Sequence, residues 1–159
     1  MMDVTAAHTL LLKLKDSICR VFLGRTETVE ETVMILVISI GGAIGAVLRY
    51  FASLYFAKSM GSSFPWGTLL INMSGSLGLG IVYGVALNIP IHPQLKAFIT
   101  IGLLGAFTTF STFSLETVVM LREGEFFRMA LYLAGTTVGG MACAFLGITV
   151  GGILSGGGT

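Results

Sequence analysis

Charge is scarce in this sequence. Asp, Glu, Lys and Arg make up 11% of its 159 residues, less than half of the roughly 25% found in ordinary soluble domains. Between Val33 and Leu121 the only acids and bases besides His92 and the tyrosines are Arg49, Lys58, Lys96 and Glu116. A small water-soluble fold leaves too much surface exposed to hide so many uncharged residues, so their surroundings are lipid. Basic runs are missing too, and the net charge is only +1. Nucleic-acid binding needs clusters that neutralise phosphates and is excluded. The two cysteines, Cys19 and Cys143, match no zinc or redox spacing; each reads as a small apolar filler. No nucleophile–base–acid set or metal-ligand cluster stands out, which argues against an enzyme.

What the chain has instead is apolar length: 54% of its residues are hydrophobic and the mean hydropathy is +0.91. Four stretches reach the ~20 helical residues that cross a hydrocarbon core. They run from about Val33 to Ala57, Trp66 to Leu87, Leu95 to Leu121 and Phe126 to Leu154. Short connectors with Gly, Pro and Asn separate them. The stretches are too long for barrel strands, so the expected fold is an all-α integral membrane protein of four transmembrane helices. Residues 33–155 form the membrane domain and 1–32 a leader. In the leader Leu11, Leu14, Ile18, Val21 and Phe22 share one helical face, opposite Lys13, Asp16, Ser17 and Arg20. That pattern suits an interfacial amphipathic helix.

Small residues recur at four-residue spacing: Gly41 with Gly45, Ser76 with Gly80 and Gly84, Gly135 with Gly139, Gly147 with Gly151. In lipid such spacings mark helix contact faces. Alternating spans put Arg20, Arg25 and Lys96 on one side of the membrane and Lys58, Arg122 and Arg128 on the other. The balance gives the positive-inside rule no preference. A chain without orientation bias can insert both ways, and two opposed copies would form an inverted repeat.

Polar groups inside a span are expensive and each needs a reason. Arg49 shares a face with Gly42 and Gly45; it either attracts anions into a vestibule or snorkels to the headgroups. Asn72 is either interhelical glue or an amide donor facing an anion. Glu116 is the one acid within a span, and its place in the final third brings it towards the interface. Most informative is the third span. Gly102 and Gly105 lower its helix propensity, and Thr108, Thr109 and Thr112 add β-branched stiffness and competing hydroxyls. The sequence predicts a mid-membrane break or kink there. Freed carbonyls would suit a monovalent ion such as Na⁺, and a plain kinked helix fits as well. Phe107, Phe110 and Phe113 recur at spacing three, ordinarily a core stripe, but here interleaved with Thr108, Thr109, Ser111, Thr112 and Ser114. Positive ring edges beside hydroxyls can hold a small anion without gripping it too tightly.

The segments GGAIGAVLRY (41–50), GTLLINMSGS (67–76) and GLLGAFTTFSTFS (102–114) resemble the three signatures of the Fluc/CrcB fluoride channels. The resemblance covers about Met34 to Leu154; the leader departs from the family's compact start. It implies an antiparallel, dual-topology homodimer with two fluoride pathways at the subunit interface. It also implies a broken third helix and a central Na⁺ held by the backbone carbonyls of Gly105 and Thr108 from both copies. Phe110 and Phe113 match the family's pore-lining phenylalanines, Asn72 its second-helix asparagine and Arg49 its first-helix arginine. Tyr132 and Thr136 fall where the family places polar pore-lining groups. Ser111 and Thr112 join this pathway as hydroxyl donors, and Glu116 reads as polar-track or structural.

The expectation is therefore a passive fluoride channel of the cell membrane. Its partners are fluoride, lipid and a second copy of itself. The principal alternative is a small dual-topology secondary transporter for fluoride–proton exchange or multidrug efflux. Small multidrug carriers place an essential acid in the first span, where this chain has Arg49. A non-transporting membrane scaffold explains the glycine spacings but not the Thr/Ser/Phe stripe.

Overall fold

The computed structural model describes residues 4–61 and 63–157; up to residue 27 it describes no side chain except that of Lys13. The amphipathic face expected for the leader therefore lies outside the described residues. The chain divides into two compact units, Met1–Leu36 and Val37–Thr159. The first unit holds the start of helix α1, which runs over Val4–Met60. Everything below concerns the second unit.

Within it follow α2 (Trp66–Ala86), α3 (Pro93–Ala97), a wide turn (Phe98–Leu104), α4 (Gly105–Phe107), α5 (Phe110–Arg122) and α6 (Phe126–Leu154). Four helical stretches are long and apolar enough to cross a membrane: Thr28–Met60, Trp66–Ala86, Pro93–Arg122 and Phe126–Leu154. Large apolar side chains such as Ile44, Leu79, Leu115 and Phe145 are exposed on all four. Water would not tolerate that surface; hydrocarbon does. The chain is a multi-pass membrane protein.

Local chemistry sets the boundaries. Pro93 opens α3 at the first helical turn, where its missing N–H is not needed. Gly124 ends α5 in the left-handed region (φ 76°), and the Glu125 N–H then closes on the Met120 carbonyl at 2.9 Å. α2 and α6 pack backbone to backbone. A Cβ on Gly80 or Gly84 would overlap the carbonyl of Ala144 or Ile148, and one on Gly147 or Gly151 that of Leu77 or Ile81. The expected small-residue seam is thus mutual.

α1 meets the third span by a similar approach. A Cβ on Gly41 would stand 2.6 Å from the Phe98 carbonyl, and one on Gly102 2.7 Å from the Ile38 carbonyl. In the wide turn held there, the Gly105 N–H reaches back to the Thr100 carbonyl, five residues away, as well as to Gly102. Gly105 itself keeps helical torsions (φ −63°, ψ −37°). The backbone becomes extended further on, at Thr108 (φ −77°, ψ 158°) and Thr109 (φ −145°, ψ 114°). Helix resumes at Phe110.

A candidate anion pathway along the third span

The extended pair is held from α2. Asn72 Oδ1 accepts from the Thr109 N–H at 2.8 Å, and Asn72 Nδ2 donates to the Thr109 carbonyl at 3.1 Å. Thr109 also caps α5: its Oγ1 accepts from the Thr112 N–H at 3.2 Å and donates to Thr112 Oγ1 at 2.9 Å. Ser111 Oγ lies 3.4 Å from the same hydroxyl. Thr108 turns back on the end of the wide turn, its N–H and Oγ1 both donating to the Leu104 carbonyl. The Thr108 carbonyl takes a long 3.5 Å contact from Arg49 Nη1, so Arg49 points at the third span.

One turn beyond Thr112, Glu116 is half-buried between two hydroxyl donors. Thr68 Oγ1 donates to its Oε1 at 3.1 Å and Tyr132 OH to its Oε2 at 2.6 Å. Tyr132 is fully buried, with its ring 5.2 Å from that of Phe113. It closes a small core with Leu69 and Met120.

Two cavities flank these groups. One, of about 660 Å³, is lined by Thr68, Thr112, Glu116, Glu125 and Arg128, the last two forming an ion pair. The other, of about 390 Å³, is lined by Asn72, Gly105, Thr108, Phe110, Phe113 and Thr136 among others. Thr136 Oγ1 is buried and has no hydrogen-bond partner. The hydrogen-bonded Thr109 and Thr112 line one cavity each.

The three-residue phenylalanine spacing does not survive as one stripe. Phe107 belongs to α4, and its ring lies against Gly75. The extended pair separates it from Phe110 and Phe113, whose rings stand 5.9 Å apart. Thr68, which the sequence reading gave no site role, is central here, and so is Thr109, read there only as one hydroxyl of the Thr/Ser/Phe stripe. The signal for Thr68 was its i, i+4 spacing from Asn72, which puts both on one face of α2.

Residues 36–148 match the protein family described as CrcB-like protein, Camphor Resistance (CrcB). The chain belongs to the CrcB family. Curated relatives are close: a protein of Shewanella sp. (strain ANA-3), named fluoride-specific ion channel FluC, is 50% identical over 97 residues, 61% of this chain and 78% of that one. The FluC protein of Shewanella oneidensis is 48% identical over the same share of each chain. The CrcB match takes in both cavities' helices and every residue named above as a candidate, from Arg49 to Thr136.

Proposed function

We propose that this chain conducts fluoride passively across the cell membrane, letting it leave the cytoplasm down its electrochemical gradient. The observation that carries the reading is the placing of polar groups along α5: Glu116 and Thr112 line one cavity, and Thr112 is hydrogen-bonded to Thr109, which lines the Phe110–Phe113 cavity. There the Thr136 hydroxyl has no protein partner. Fluoride is small and strongly hydrated. Hydroxyls and positive ring edges replace its water without a cation that would trap it. The relatives named fluoride-specific ion channel support the same substrate. Hydrogen fluoride enters cells as a neutral acid and ionises inside, so an outward leak relieves accumulation where the interior is negative.

The functional unit on this reading is two antiparallel copies. Phe110 is 79% exposed, more than any other large apolar side chain among the described residues, and a second copy would cover it. A central Na⁺ suits the Gly105 carbonyl, because the Thr109 N–H is turned to Asn72 instead; the Thr108 carbonyl, its second ligand on this reading, also takes the long Arg49 contact. Carbonyls such as those of Gly105 and Thr108 are hard, uncharged ligands of the kind a monovalent cation takes. When bound, the ion would supply fixed positive charge. The Gly105 and Thr108 carbonyls would hold it, Phe110 and Phe113 would contact the anion, and Arg49 would attract anions towards the entrance.

Liposomes containing the purified protein should release fluoride rapidly and chloride hardly at all. Equal release of both ions would remove the selectivity. In the same assay Glu116→Gln should leave fluoride release independent of a pH gradient; a release that required a gradient and vanished in this variant would point to proton exchange.

A further inference from the structure

Both heavy atoms of the Asn72 amide are engaged by one residue, Thr109, 37 positions away. A side-chain amide paired with the N–H and carbonyl of a single residue imitates a β-ladder rung, and Thr109 has the extended torsions that such a rung needs. In an uninterrupted helix its N–H would close on the carbonyl four residues back, that of Gly105. Instead it points to Asn72. Thr108, one residue earlier, still closes on Leu104. The helical bonding therefore stops at the residue that Asn72 takes.

We propose that Asn72 is a positioning residue: its amide holds Thr109 extended and so keeps the Gly105 carbonyl open to a cation. The clip spends one of the two Nδ2 N–H groups on the Thr109 carbonyl and leaves the other for an anion. The amide clip stands on the two hydrogen bonds alone. The link to a cation rests on the Na⁺ reading above.

Hydrogen–deuterium exchange of segment 104–113 in the full-length protein in detergent separates the two. It is measured in Na⁺ and in N-methylglucamine buffers. Asn72→Ala should speed exchange at the Thr109 amide about tenfold or more, the scale of one lost buried hydrogen bond. It should also raise the Na⁺ concentration giving half-maximal thermal stabilisation by a similar factor. Asn72→Asp keeps an acceptor for the Thr109 N–H and should keep that amide protected. Rapid Thr109 exchange in Asn72→Asp, or wild-type exchange and Na⁺ midpoint in Asn72→Ala, would overturn the proposal. If Asn72→Ala does not fold, the Asp variant decides. A wild type indifferent to Na⁺ would overturn the cation link while fast exchange in Asn72→Ala upheld the clip. Wild-type vesicles that release no fluoride would instead sink the channel reading.

Discussion

The two ends of α2 face their neighbours in opposite ways. From Gly80 onward the helix lies against α6 with no side chain between, and each glycine is shut in by the opposing backbone. Near Thr68 and Asn72 the contact is made by side chains, which reach out to Glu116 and Thr109 on α5 and its approach. Close backbone packing is one of the forces that join helices in lipid, and it leaves no room for adjustment. Hydrogen-bonding side chains tolerate irregular backbone, provided every freed group finds a partner. One helix thus carries a rigid seam and a polar site, each specified by residues three or four positions apart.

The sharpest way to break the contrast is Gly147→Val. Its new carbons would meet the Leu77 carbonyl and the Ile81 N–H, backbone that cannot step aside. Overpacking of this kind costs about 3 kcal/mol, which lowers the melting temperature by roughly 6–12 °C in a domain of this size. Gly152→Ala, where a Cβ meets open space, should melt with the wild type. Two equal melting curves would mean that the seam is not what holds α2 to α6.

Phe110→Ala probes the other end with the opposite signature. The ring is largely exposed in the single chain, so folding should barely change. Fluoride release from vesicles should drop about tenfold, the worth of one well-placed ring edge. Unchanged release would take Phe110 out of the pathway.

Tyr132→Phe gives the smallest effect. It removes one of the two hydroxyls on Glu116 while keeping the buried ring. Thermal unfolding should report a loss of about 1 kcal/mol. A loss several times larger would mean that Glu116 depends on Tyr132 far more than on Thr68.

Much of this was legible in the residues. Runs of apolar length announce the four spans, and small residues four apart announce the seam. The scarcity of charge makes Asn72 and Glu116 stand out. The backbone of the third span was harder to read. Gly102 and Gly105 look like the weak points, yet Gly102 is spent on close approach to α1 and Gly105 remains helical. The extended residues are the threonines that follow, because an amide on another helix captures one of them. Propensity is a local quantity, and Asn72 lies 37 residues away from the torsion it sets. The role of Thr68 escaped for the same reason: its partner Glu116 is 48 residues off.

Thr136 has a consequence for anyone who would make this molecule sturdier. Its hydroxyl is buried with no hydrogen-bond partner, and a buried polar atom left alone weakens a fold. Valine has nearly the same shape and no such penalty, so a screen for heat resistance would favour it there. On the proposed reading that hydroxyl is idle only until a halide arrives, and the hardier variant would be the poorer conductor.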